Sequence, residues 1–164
     1  MSMQPPYKLT IKTILPKTAI EGEIFKVTYV IMNISKTIFP GGDIYVIVSW
    51  PSIGPSMLVT HPIKIKALKP GEQFQLSREE KPATSGMTIF THPNVPFLAR
   101  NGVPIELYLE DGRKLVAGQL IGGVRARSHE EISQARAVWI AAVSLVVLLI
   151  FQVIDWLIRR YWGL

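Results

Sequence analysis

The chain has 164 residues, no cysteine and a formal net charge of +6. Without cysteine it carries no disulfide scaffold, thiolate zinc site, cysteine nucleophile, type-1 copper site or cysteine-ligated iron–sulfur cluster. The basic residues form no run interleaved with aromatics, so no nucleic-acid surface is expected; the 48% apolar share points instead to a segment made for an apolar solvent.

Residues 1–7 read as a flexible N-terminus without the apolar stretch of a signal peptide. From residue 8 onward, short runs alternate with period two and are broken by turn residues. Lys8–Leu15 is a first candidate strand. Ile24–Met32 puts Phe25, Val27, Tyr29 and Ile31 on one face, and Asp43–Trp50 does the same with Ile44, Val46, Val48 and Trp50. Ile63–Ala67, Gln73–Ser77 with Phe74 and Leu76 inward, and Met87–Thr91 follow. Pro104–Leu109 runs into the hairpin signal Asp111-Gly112, and Lys114–Leu120 is expected to return. Prolines such as Pro16, Pro40, Pro51, Pro55, Pro70 and Pro82 punctuate the runs. The pattern predicts a mainly β fold, an antiparallel β-sandwich over residues 8–121.

Residues 122–127, with Gly122-Gly123, read as a hinge. Ser128-His129-Glu130-Glu131 is a capping box, so a helix over 128–162 should begin there. Residues 137–154 hold no charge and only two polar side chains, Ser144 and Gln152. A bilayer core needs about 20 helical residues, which places a membrane span at about 137–158. Trp139 stands near one end and Trp156, Tyr161 and Trp162 near the other, where aromatic girdles belong; Arg136 closes one side and Arg159 with Arg160 the other. Ser144, Gln152 and Asp155 share a broad stripe that could face a partner. In the preferred reading Asp155 reaches the interface and pairs with Arg159, four residues on. Ala137 and Ala141 form a small-xxx-small pair.

Glu21-Gly22 before a strand, that strand closing in Val-Ile-Met-Asn33, and Leu68-Lys69-Pro70-Gly71-Glu72 before the next resemble the CARDB-type immunoglobulin-like domains of bacteria and archaea. The resemblance covers roughly residues 8–120 and lacks the closing Glu- and Asn-rich stretch. It implies an immunoglobulin-like sandwich that acts as a binding or structural module, with no catalytic residues to carry over and often an extracellular setting.

The residues point to little chemistry. Thr60-His61-Pro62 and Thr91-His92-Pro93 share a context, each preceded by a methionine, Met57 and Met87; a His/Met set suits copper. The preferred reading makes both His-Pro pairs ordinary loop entries. Glu79-Glu80 reads as solvated surface, and no nucleophile motif or phosphate loop is present. No cofactor is expected. Asn33-Ile34-Ser35 is a glycosylation sequon that matters only if the domain lies outside the cell.

The expected protein is thus a single-pass, tail-anchored, non-catalytic interaction module in the cell membrane. Its expected partners are the lipid bilayer and a membrane protein or a second copy, with the domain inclined to the cytosol. The alternatives are a cell-surface adhesion or ligand-binding protein and a His/Met metal-binding subunit.

Overall fold

The structure is a computed structural model and describes residues 5–51 and 57–162, with the side chain of Trp162 excepted. Residues 1–4 of the expected flexible N-terminus, and the turn residue Pro55, lie outside the described residues. Among the described residues ten strands precede one helix: β1 Tyr7–Ile14, β2 Thr18–Ile20, β3 Phe25–Asn33, β4 Gly42–Trp50, β5 Met57–Ile65, β6 Gln73–Glu80, β7 Gly86–Thr91, β8 Phe97–Leu98, β9 Pro104–Tyr108, β10 Leu120–Arg127 and α1 His129–Trp162. The chain divides after Arg127 into a β unit and a helical unit.

The strands form two five-stranded sheets, ordered β6-β3-β1-β9-β8 and β2-β10-β7-β4-β5. Alternation decides which side chains face inward. Along β3, Phe25, Val27, Tyr29 and Ile31 are buried; along β4, Ile44, Val46, Val48 and Trp50 are. Leu9 and Ile11 of β1, Ile63 and Ile65 of β5 and Phe90 of β7 complete the middle of the core.

Several expectations are corrected. The sheets are mixed, because β1 pairs β9 in parallel and β2 pairs β10 in parallel. The cause lies at Pro16: the chain leaves the first sheet after Ile14 and rejoins the second at Thr18, and a proline without an N–H suits that crossing. Tyr7 belongs to a strand, not to a loose terminus. Beyond the Asp111-Gly112 turn only a stub of hairpin forms, with Leu109 N–H donating to Arg113 O and Leu115 N–H to Leu107 O, both at 2.8 Å. Leu115 then buries and the chain turns away, so residues 114–120 are not the return strand.

Residues 122–127 are not a hinge but most of β10, held between β7 and β2. Gly122 is there for space. A methyl group on it would collide with Thr13 Oγ1 and lie 3.2 Å from Leu15 Cδ1, both from the segment that leaves the first sheet.

Candidate functional site

Three polar side chains meet inside the sandwich. Tyr29 of β3 lies 0% exposed, His61 of β5 4% and Glu80 of β6 8%. The Tyr29 hydroxyl is 2.8 Å from His61 Nδ1, and His61 Nε2 is 3.0 Å from Glu80 Oε1. In the tautomer that donates Nε2–H to the carboxylate, Nδ1 accepts from the phenol. Burial, and then the neighbouring Glu80 carboxylate, push the Tyr29 phenol well above its usual range, while Arg78 opposes them. The phenol therefore stays a proton donor. Beside this bridge Arg78 Nη2–H donates to Pro62 O at 2.6 Å. Tyr29, Arg78 and Glu80 belong to the first sheet, and His61 and Pro62 to the second, so the polar set ties two sheets at the β5–β6 edge.

This arrangement revises two expectations. His61 is not a loop entry but a mid-strand residue turned into the core, and both its ring nitrogens are engaged. Glu80 is not solvated surface. The β6 alternation of Phe74, Leu76, Arg78 and Glu80 runs three residues past the expected end at Ser77 and delivers the carboxylate inward. That continued period of two is the signal that would have found it. Near Glu80 an apolar cleft of ≈ 260 Å³ opens, walled by Trp50, Met57 and Val59 among others.

The four residues of the copper-type set are not brought to one centre. His92 Nδ1–H donates to Pro93 O at 2.6 Å, and its ring packs 5.0 Å from the Phe97 ring. Burial holds its pKa below the usual value against the Pro93 hydrogen bond. Met57 and Met87 face outward, 62% and 55% exposed. Among the described residues no group of three or more His, Asp or Glu could hold a metal ion.

Asn33 is equally committed. Its Nδ2 donates to Thr37 O and to Leu68 O, both at 2.9 Å, and its Oδ1 accepts from Ser35 N–H at 2.9 Å. With the residue fully buried, the folded domain offers no amide to a glycan.

The two outer sheet faces differ in chemistry. The first sheet presents Lys8, Lys12, Lys26, Glu79 and Glu106, interspersed with Thr, Gln and the apolar Ile14, Val30 and Met32, so charge is spread across its face. On the second, register aligns Leu58, Ser49, Ile89 and Gly123 in one row across β5, β4, β7 and β10. Thr60, Ile47, Thr91 and Leu120 form the next. Neither row holds a charge. Tyr45 and Met87 extend the apolar band, while the pair Asp43–Lys64 stands at one end and Arg125 and Arg127 at the other.

In the helical unit Ser128 Oγ accepts from Glu131 N–H at 3.0 Å, as the capping box requires. The helix is long and apolar enough to cross a membrane. Arg136, Trp139, Trp156 and Tyr161 are exposed, and Arg160 lies over the Trp156 ring at 5.0 Å. Asp155 pairs with Arg159 at 3.0 Å. Ser144 donates to Ile140 O at 2.8 Å.

No family model matches the chain, and no curated protein matches it. Among solved structures it is similar to the CARDB domain of a Pyrococcus furiosus protein determined in complex with di-metal ions: 13% identity, TM-score 0.44, covering 73% of this chain and 93% of that one. It is also similar to part of a Listeria innocua beta-glucosidase, at 20% identity and TM-score 0.43, covering 73% of this chain but 16% of the enzyme.

Proposed function

We propose that the chain is a membrane-anchored, non-catalytic interaction module, an accessory or structural subunit of a membrane protein complex. The observation that supports it best is the outer face of the second sheet: two adjacent rows without a charge, on a domain whose other face is studded with lysine and glutamate. Solvated faces of single domains are seldom so divided, and uncharged centres with charged rims are how protein interfaces are built. The apolar helix, with tryptophans toward both ends and arginines beyond them, supplies the anchor. Inside the sandwich Tyr29, His61 and Glu80 are spent on one another, which speaks for a scaffold over a reaction centre at that cluster. Arg125, Arg127 and Arg136 precede the span and Arg159 and Arg160 follow it, a positive-inside margin of one residue that does not itself fix the side, and the reading leans only slightly to a cytosolic domain.

Three experiments test the reading. Alkaline extraction of membranes should leave the full chain in the pellet and release a chain ended at Arg127; release of both would end the anchor reading. Mild-detergent purification should yield a stoichiometric membrane protein partner that Ile47→Lys or Ile89→Glu loses while the circular dichroism of the domain is unchanged. A strictly partner-free particle would refute the module. Protease added to intact cells should leave the domain uncut, and its loss would move the domain outside.

A further inference from the structure

We propose that α1 associates in the membrane with α1 of a second copy of this chain, along one seam made of Ala137, Ala141, Ser144, Gln152, Asp155 and Arg159. The proposal rests on the reading of α1 as a membrane span and deepens it by naming a partner. At 100° per residue these six residues fall within about 80° of one another. The other positions of the span carry Val, Leu, Ile, Phe, Trp and one Ala. Leu148 falls among them; apart from it one face is small and polar, and the rest suits lipid.

The seam residues have different needs. The Ser144 hydroxyl is satisfied inside its own helix by Ile140 O, so it acts as a small side chain. Ala137 and Ala141 are small as well and let two backbones approach. Gln152 is different: its amide has both donors and an acceptor, and in hydrocarbon it needs a partner.

A second copy fits that need better than an unrelated helix. Copies of one chain insert in the same orientation, so their helices run parallel and a two-fold axis places Gln152 opposite Gln152. A primary amide is its own complement, each donating N–H to the other's carbonyl. One turn further on, Asp155 and Arg159 form a neutral pair within each helix. Two such pairs side by side can exchange partners, Asp155 of one copy with Arg159 of the other, without adding net charge. Through Leu148 the seam runs from Ala137 to Arg159 in steps of four, three, four, four, three and four, two eleven-residue repeats, the period of a straight or slightly right-handed seam of parallel helices.

The test uses the full chain, labelled near its N-terminus with donor or acceptor dye and reconstituted in phosphatidylcholine vesicles. Energy transfer should fall with lipid dilution along a dimer curve. Gln152→Leu and Ala141→Ile should each move the midpoint to about tenfold higher protein density. Ile150→Ala, on the opposite face, should leave it in place. Transfer that is absent at every density, or equal in all four chains, overturns the seam. Flotation of the same vesicles separates the two readings: a chain that does not float with lipid overturns anchor and seam together, and a chain that floats without transfer overturns the seam alone.

Discussion

The side-chain amide of Asn33 donates to the backbone carbonyl of Leu68 at 2.9 Å, and the strand end and the turn are held again through the backbone, where Gly71 N–H donates to Asn33 O at 2.7 Å and Asn33 N–H to Glu72 O at 3.1 Å. The end of β3 and the Leu68–Glu72 turn are thus one knot. Gly71 adopts φ +77 there, which favours glycine, and Glu72 closes the turn by accepting Lys69 N–H at 2.9 Å.

From this geometry Asn33→Ala should destabilise the domain by about 1–2 kcal/mol, because the buried Leu68 carbonyl loses one of its two donors and the part-buried Ser35 N–H and Thr37 carbonyl lose their partner. Asn33→Asp should cost at least as much at neutral pH, since it turns a carboxylate oxygen toward the carbonyls of Thr37 and Leu68. Urea unfolding followed by circular dichroism measures both. An Asn33→Ala chain within the error of wild type would refute the role of the knot.

The bridge through His61 makes a coupled prediction. Tyr29→Phe removes the donor to Nδ1 and should cost about 1–3 kcal/mol. His61→Leu leaves the Glu80 carboxylate buried without its partner and should cost more, about 3–5 kcal/mol. The double variant should cost less than the two summed. In it the phenol–imidazole bond is lost only once, and no phenol is left facing an apolar side chain. Strict additivity in the unfolding cycle would show that the three side chains do not act as one unit.

What could be read in advance follows from where each residue gets its instructions. The inward faces of β3 and β4 are written in local alternation, and they appear where the period places them. The Ser128 cap and the apolar run behind it are equally local. The parallel pairings of β1 and β2 depend instead on which neighbour each half finds after Pro16, and nothing local encodes that. Glu80 is hidden in the sequence because a charged Arg-Glu-Glu end looks like surface until His61, on another strand, is known to face it. Asn33 resembles a glycan acceptor because a sequon carries no record of the turn that consumes its amide. The uncharged rows on the second sheet draw on four strands, so they exist only once register is known.

Gly122 supplies a test of the corrected reading of residues 122–127. If the glycine is needed for close approach of Thr13 and Leu15, Gly122→Ala should cost about 1–3 kcal/mol through crowding between the sheets. Thr13→Ala alone should be mild, since the Thr13 hydroxyl makes one 3.3 Å bond to Ile121 O. Combining the two should recover part of the loss, because the colliding Oγ1 is gone. A flexible hinge would instead tolerate alanine unchanged, and thermal unfolding of the three variants distinguishes the cases.

One surface cluster contributes to the pH dependence of stability on both sides. Lys114 Nζ donates to Glu106 Oε1 at 2.6 Å and the Tyr108 hydroxyl donates to Oε2 at 2.7 Å. These bonds hold the Glu106 carboxyl below its ordinary 4.5 and raise the Lys114 ammonium above its ordinary 10.5. For a carboxyl whose folded pKa is depressed, the stabilisation is complete above the unfolded value and disappears as pH falls through the folded one. For an ammonium whose folded pKa is raised, it is complete below the unfolded value and disappears as pH rises through the folded one. The cluster's contribution should therefore be flat across neutrality and fall at each extreme. Glu106→Gln should shallow both limbs together. Glu72, held low first by the Lys69 backbone N–H, Asp111, held low first by that of Arg113, and His92, held low by burial, keep the remaining acid slope, and the Tyr29 phenol, raised by burial, keeps an alkaline one. Urea midpoints measured from about pH 3 to about pH 11 read this directly; a Glu106→Gln chain with unchanged limbs would remove the cluster from the account.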